Sequence, residues 1–249
     1  MPKKFLFADL DDTLFQSHKK CPPDTPLTPA AYLKDGSAHS FLTPAQASVL
    51  DLFRREMGVI PVTARNADAY ARVRLGFTSG AVVNYGGVIL GPDGAPEAEW
   101  LKRSRTLAEQ TLPELNAIAA TLGEWAAASG ARLRIRIIED FGIPFYVCAK
   151  SEEGDETALD PIDAKARTEW SGPGATVAVH RNGNNFSVLP AWLDKRHAVE
   201  HLAGRLRAVH GEIVTFGMGD SLSDLAFMSA CDYALVPRRS QINHLLGSR

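Results

Sequence analysis

The sequence predicts an α/β protein, a Rossmann-like parallel-sheet core into which an α+β cap domain is inserted. Three observations predict it. Apolar runs of three or four residues at 5–8, 59–62, 81–83 and 213–216 are too short for helices and read as buried strands. Amphipathic segments separate them, so the opening order of strand, helix, strand implies parallel pairing through right-handed crossovers. From about residue 85 to residue 189 that rhythm gives way to helix and hairpin patterns, and after Pro190 it returns. The expected division is therefore a core of 1–84 and 190–249 and an inserted cap of 85–189.

Taken in order, the first strand ends in Asp9-Leu10-Asp11-Asp12-Thr13. Residues 16–42 are polar and proline-rich and read as an irregular surface loop, in which His18 and His39 are solvated more readily than drawn into a site. Thr43-Pro44-Ala45-Gln46 has the form of a capping box with proline at the first helical position, and Val49, Leu50, Phe53 and Met57 give that helix an apolar face. Gly58 ends it, and the second strand runs into Thr63-Ala64-Arg65. A helix over 66–75 and a third strand at 81–83 follow. In the cap, a strand at 88–90 precedes a helix from about Pro113 that carries Leu115, Ile118, Leu122 and Trp125 on one face. Segments 131–138 and 143–149 form an antiparallel pair. Asp160-Pro161 starts a helix with Asp as its cap, and a hairpin turns at Asn182-Gly183-Asn184. Back in the core, a helix from Asp194 carries Ala198, Leu202, Leu206 and Val209. The strand 213–216, the loop 217–220, a helix to about Ala230 and a strand at 233–236 close the chain.

Composition narrows the function. Of 249 residues 45% are hydrophobic and 22% charged, as in ordinary globular proteins, and the net charge of −2 leaves no positive excess for a general nucleic-acid partner. Cys21, Cys148 and Cys231 are odd in number and far apart, which favours reduced thiols in the cytoplasm over a disulfide frame or a zinc site. The apolar stretch before Asp9 is too short for a signal peptide, and no run reaches membrane-spanning length; a cytoplasmic protein without a membrane partner is expected.

In an open parallel sheet, ligands bind at the carboxyl ends of the strands. The residues expected there are Asp9, Asp11 and Asp12 after the first strand, Thr63 and Arg65 after the second, Asn84 after the third, and Asp220, Ser221 and Asp224 after the fourth. Two carboxylates about 4 Å apart repel by roughly 4 kcal/mol at an effective dielectric of about 20, so such a cluster binds a cation or raises a carboxyl pKa. A polar turn explains the first aspartates as well when that stretch is read alone, and helix capping explains Asp220 or Ser221. Neither explains two acidic strand ends in one sheet. Oxygen ligands from carboxylates and a backbone carbonyl suit Mg²⁺. Lys195, in the first turn of its helix, opposes the helix dipole, which points to a role outside the helix, although Asp194 is available to pair with it. A hydroxyl, a lysine and a magnesium ion facing two aspartates make a phosphoryl-transfer site.

These four segments, DLDDT, Thr63 in VTAR, Lys195 in LPAWLDKRHAV, and GDSLSD, resemble in order the motifs of the haloacid dehalogenase superfamily of phosphohydrolases. The insertion is similar to the α/β cap of the Cof-type branch, which includes sucrose-phosphate and mannosylphosphoglycerate phosphatases. The resemblance implies that Asp9 is the nucleophile that forms an aspartyl phosphate, and that Asp11 is the general acid and base. It also implies that Thr63 and Lys195 hold the phosphoryl oxygens. Mg²⁺ would sit on Asp9, the Asp11 carbonyl and Asp220, with Asp224 in or beside its shell. Asp12 stands where the family often has Gly, Ser223 where the Cof-type motif usually has Asn, and TAR replaces the common TGR.

Substrate choice is expected in the cap. Arg132, Arg134 and Arg136 alternate along one strand and share a face, which suits an acidic substrate or, equally, a solvated surface. His180, Asn182 and Asn184 near the hairpin are candidates for hydroxyl recognition. The function expected is a Mg²⁺-dependent phosphatase of a small phosphorylated metabolite, a sugar or polyol phosphate. A phosphomutase or phosphotransferase would share the site and differ in the acceptor, and a catalytically silent metabolite-binding module is the alternative from another class. A signalling receiver also combines Asp, Thr and Lys, but no Asp ends the strand before Thr63.

Overall fold

The computed structural model describes residues 1–247 and divides into two compact units, Met1–Leu101 together with the chain from Asp194 onward, and Lys102–Leu193. In the first unit the elements run β1 (Lys3–Ala8), β2 (Gln16–Ser17), β3 (Thr28–Tyr32), β4 (Ala38–Leu42), α1 (Pro44–Glu56), β5 (Gly58–Pro61), α2 (Ala67–Tyr70), β6 (Ala81–Val83) and β7 (Val88–Leu90). Helix α3 (Ala98–Ser129) carries the chain across the division. The inserted unit continues with β8 (Leu133–Asp140), β9 (Ile143–Ser151), α4 (Asp160–Trp170), β10 (Val177–Asn182) and β11 (Asn185–Pro190). The chain then returns through α5 (Lys195–His210), β12 (Ile213–Met218), α6 (Leu225–Met228), β13 (Tyr233–Leu235) and α7 (Gln241–Gly247).

The core sheet is parallel in the order β13-β12-β1-β5, as the short apolar runs predict. Its central strand β1 is apolar from Phe5 to Ala8 because both faces are covered. Alternation sends Phe5 and Phe7 into one layer with Ile60, Val62, Ala198, Val199 and Phe227. Leu6 and Ala8 enter the other with Leu10, Phe15, Leu50 and Val59. Register levels the strand ends, since Ala8 pairs with both Met218 and Pro61. The residues that follow these three strands therefore emerge side by side. Strand β6 joins beyond β5 through a parallel bridge from Val62 to Val82 and pairs antiparallel with β7.

Several sequence expectations are corrected. Residues 16–42 are not irregular: they form a three-stranded sheet, β2-β4-β3, whose Ala30, Ala31 and Leu42 are buried beside Leu14 and Phe15. Pro29 is tolerated because β3 is an edge strand with a bulge next to it. The helix expected over 66–75 is a single turn, α2, and the one expected up to Ala230 is a 3-10 turn at Leu222–Asp224 followed by α6. Helix α3 begins at Ala98 and passes through Pro113. Helix α4 is preceded by a 3-10 turn capped by Asp155, so Asp160 is not its cap. Val49 and Val209 are exposed, whereas the capping box of Thr43 and Gln46 forms as read.

The division also falls later than the change of rhythm at Asn84. Strand β7 pairs with β6, the Trp100 Nε1–H donates to the Gly86 carbonyl at 2.9 Å, and Glu97 meets His201 of α5 at 2.8 Å. These contacts hold residues 85–101 to the first unit.

The inserted unit is an antiparallel sheet in the order β10-β11-β9-β8. Leu115, Ile118, Leu122 and Trp125 of α3 and Ile162 and Ala166 of α4 pack on one of its faces, against Ile135, Val147, Ala149, Phe186 and Val188. Among the described residues no helix is long and apolar enough to cross a membrane, and all three cysteines are free.

Candidate active site

The levelled ends of β1, β5 and β12 bring Asp9, Thr63 and Asp220 to one edge of the core sheet. Asp9 follows β1 directly, its N–H donating to the Met218 carbonyl at 2.8 Å, and its side chain is buried. Lys195, equally buried, donates from Nζ to Asp9 Oδ1 at 2.6 Å and to Asp224 Oδ1 at 2.7 Å. Asp194 caps α5 through a hydrogen bond from the Arg196 N–H and so leaves the lysine to the site. Asp224 is fixed from its other oxygen by the Ser221 hydroxyl at 2.7 Å and the Ser221 N–H at 3.1 Å. Two glycines permit this approach: a Cβ on Gly219 would lie 2.4 Å from Asp224 Cβ, and one on Gly86, at φ +97°, would lie 2.5 Å from the Asp194 carbonyl oxygen.

The Thr13 hydroxyl, with one proton to give, lies 3.1 Å from Asp220 Oδ1 and 3.3 Å from Asp9 Oδ2. Carboxylate oxygens of Asp9, Asp220 and Asp224 lie within 4.8 Å of one another. Electrostatics follow from this crowding. Burial, then the neighbouring Asp224, raises the Asp9 carboxyl well above the ordinary range against the pull of Lys195. Burial and Asp224 likewise push Asp220 up to about 6. Burial would raise Asp224 too, but the Lys195 charge and the Ser221 hydrogen bonds hold it low. Burial would lower the Lys195 ammonium, and its two carboxylate partners outweigh that and raise it. One buried ammonium thus serves two carboxylates, with a third alongside. Three hard oxygen donors with excess negative charge fit a divalent cation of the magnesium kind.

Asp11 does not enter that cluster through its side chain. Arg65 holds it in a bidentate clamp, Nε to Oδ2 and Nη2 to Oδ1, both 2.7 Å. Sequence reading gave Arg65 to the substrate; the structure gives its guanidinium to Asp11. Asp12 adopts φ +65° and pairs with Lys20 at 2.5 Å, a contact no local pattern announces. Thr63 is buried, and its hydroxyl accepts the Arg65 N–H at 3.1 Å. Asn84, at φ +50°, is wholly buried, its N–H bound to the Arg65 carbonyl. His18 and His39 are exposed.

In the inserted unit, Arg134 is exposed and His180 half-buried. Asn184 is a structural clasp: its side chain accepts from the Ser151 N–H at 2.8 Å and donates to the Ser151 carbonyl at 3.0 Å.

No family model and no curated protein sequence matches the chain. Solved structures do. A sucrose-phosphatase from Synechocystis, in complex with sucrose and phosphate, superposes with a TM-score of 0.56 at 16% identity over 99% of this chain and 87% of that one. The C-terminal domain of a trehalose-6-phosphate phosphatase from C. albicans gives 0.54 at 12% identity, over 92% of this chain and 73% of that one. A haloacid dehalogenase-like hydrolase from B. subtilis gives 0.51 at 13% identity, over 97% and 91%. The chain has the fold of these proteins, an α/β parallel-sheet core with an inserted α+β unit.

Proposed function

We propose that the chain is a haloacid dehalogenase-type phosphatase, a phosphoric monoester hydrolase that uses Mg²⁺ and forms an aspartyl phosphate on Asp9. The observation that carries the reading is the buried bridge of Lys195 between Asp9 and Asp224, at 2.6 and 2.7 Å, with Asp220 beside it at the edge of a parallel sheet. A structural ion triad has no use for the additional carboxylate. The nearness in fold to sugar-phosphate phosphatases supports the same reading.

In this mechanism a carboxylate oxygen of Asp9 attacks phosphorus in line with the ester oxygen, the P–O ester bond breaks, and Asp11 as the acid gives the leaving oxygen its proton. Water then attacks the aspartyl phosphate, Asp11 takes the proton from that water, and Asp9 and inorganic phosphate are released. The bidentate clamp by Arg65 fixes the orientation of the Asp11 carboxyl group. Lys195 and the Thr63 hydroxyl neutralise and orient the phosphoryl oxygens. Asp9, the Asp11 carbonyl, Asp220 and Asp224 would hold the magnesium ion, which supplies charge compensation for the transferring phosphoryl group.

Asn84 and Arg65 are assigned to shaping the phosphoryl end of the site, and Arg134 and His180 to the remainder of the substrate. That substrate is a small phosphorylated metabolite, a sugar or polyol phosphate, and the free cysteines fit the reducing cytoplasm. The test is release of phosphate from p-nitrophenyl phosphate: hydrolysis with Mg²⁺, none with EDTA, and a loss of at least about 10³-fold in Asp9→Asn, as expected when a nucleophile is removed. Unchanged turnover in that variant overturns the assignment.

A further inference from the structure

Helix α5 carries Lys195 in its first turn, and a second set of contacts outside the carboxylate cluster fixes where that helix lies. At 3.6 residues per turn, Lys195, Val199, Leu202 and Leu206 share one flank, and Asp194, Ala198, His201 and Arg205 share another about a quarter-turn round. On the first flank Val199, Leu202 and Leu206 pack into the apolar core. The second meets the segment after β7: His201 Nε2 lies 2.8 Å from Glu97 Oε1, Arg205 pairs with Oε2 of the same carboxylate, and the rings of His201 and Trp100 are 4.8 Å apart. Both partners are tied to neighbouring backbone. The Glu97 N–H donates to the Ile89 carbonyl of β7 at 2.8 Å, and the Trp100 indole to the Gly86 carbonyl. All of these residues belong to the first unit.

Stability alone does not call for this arrangement. The Glu97 side chain is only 16% exposed, although a carboxylate at the start of α3 would meet the helix dipole as well from water. Drawing it in costs solvation that His201 and Arg205 offset, and apolar groups of similar volume hold two segments together at least as well. What a directional contact adds is register: it fixes the height and rotation of α5, which an apolar flank allows to slip. Register matters here for a chemical reason. In the unreacted site Lys195 is placed by its own bonds to Asp9 and Asp224. Once Asp9 carries the phosphoryl group its carboxylate charge is gone, and the charge-assisted bond that placed the ammonium weakens. The Glu97 contacts do not involve Asp9 and persist.

We propose that Glu97 and His201 are positioning residues for Lys195, holding α5 in register so that the ammonium stays on the phosphoryl oxygens while water attacks the aspartyl phosphate. This rests on the phosphatase reading above. It adds to that reading a requirement of the second half-reaction, in which water oxygen bonds to phosphorus, the bond from phosphorus to Asp9 breaks, and Asp11 takes the proton.

The test follows hydrolysis of p-nitrophenyl phosphate by the full chain with Mg²⁺ present. Release of p-nitrophenolate precedes the second half-reaction, so kcat/KM reports formation of the aspartyl phosphate, whereas kcat reports both steps. In His201→Ala and in Glu97→Met, kcat should fall at least about tenfold, while kcat/KM stays within about threefold and a stoichiometric burst of p-nitrophenolate appears. His201→Gln, whose amide still donates to Glu97, should keep kcat within about threefold of wild type. Arg196→Gln, which breaks an exposed pair with Glu200 on the same helix, should keep it within about twofold. A merely structural contact lowers the folded fraction, and therefore kcat and kcat/KM in equal proportion and without a burst. That result, or unchanged kcat in both variants, overturns the positioning role and leaves the phosphatase intact. If His201→Ala does not fold, Glu97→Met decides on the same terms. A wild type that releases no phosphate from the ester overturns the phosphatase reading, and the positioning role with it.

Discussion

At the scale of single residues, Lys195 decides how the site is held. Its ammonium is the shared partner of two buried carboxylates, and removal of one member of a buried ionic group costs about 3–5 kcal/mol because the rest is left uncompensated. Lys195→Met should therefore lower unfolding free energy by about that amount at pH 7, read by urea denaturation, and abolish turnover. The pH response should change as well. In the wild type the depressed Asp224 contributes stability that is present above its ordinary pKa and lost as pH falls through its lower folded value. Without Lys195, Asp9 and Asp224 face each other and both are easier to protonate in the folded state. In the metal-free wild type the raised Asp220 and Asp9 already favour lower pH, so the variant should gain more stability than the wild type as pH falls from 7 to 5; equal gains in both proteins would contradict the bridge. Lys195 was legible in the sequence because a cation in a first helical turn is locally unfavourable. The Arg65 clamp on Asp11 and the Lys20 pair with Asp12 were not, because neither partner is out of place in its own segment.

At the scale of elements, the site depends on how closely α5 approaches the turn after β6. Gly86 makes that approach possible: at φ +97° it has no Cβ to meet the Asp194 carbonyl oxygen 2.5 Å away, and its own carbonyl anchors Trp100. Gly86→Ala should displace the first turn of α5 and move Lys195 off Asp9. The expected cost is about 1–3 kcal/mol of stability, as for other overpacked positions, together with a fall in kcat larger than any change in KM. A variant with wild-type kcat would show that the approach is not what places the lysine. Sequence reading placed a boundary at this turn because Asn-Tyr-Gly-Gly interrupts the pattern, whereas the interruption serves tertiary packing. The buried strands and the capping box of α1 were legible, since their signals are local periodicity and spacing. The sheet β2-β4-β3 was not: its strands are short and proline-containing, and the core around Leu14 and Phe15, not its own pattern, stabilises it. Helix α3 began earlier than read because Pro113 marked a plausible start, and one missing hydrogen bond in a 32-residue helix does not end it.

At the scale of the whole molecule, the chain carries a net charge of only −2, yet one edge of its core sheet gathers Asp9, Asp11, Asp12, Asp220 and Asp224 against Lys195, Arg65 and Lys20. That local excess makes cation binding and stability one linked quantity. Asp220, raised from 3.8 to about 6 chiefly by burial and by Asp224, binds a proton more tightly in the folded than in the unfolded chain. Its ionisation therefore lowers the stability of the metal-free protein as pH rises between those two values, and the penalty persists above pH 6. A bound divalent cation favours the ionised form and reverses the sign. Magnesium at about 100 times its dissociation constant contributes roughly 2.7 kcal/mol, which for a chain of this size raises Tm by about 5–10 °C. That gain should be largest at pH 7.5 and should shrink at pH 5, where Asp220 is mostly protonated and the ion competes with a proton. Asp220→Asn should melt higher than the wild type without metal at pH 7.5, because an ionised buried group has been removed, and should show little or no gain on adding magnesium. Differential scanning calorimetry of both proteins at the two pH values, with and without Mg²⁺, reads all of these. A magnesium gain that is equal at pH 5 and 7.5, or equal in wild type and Asp220→Asn, would place the cation away from this cluster.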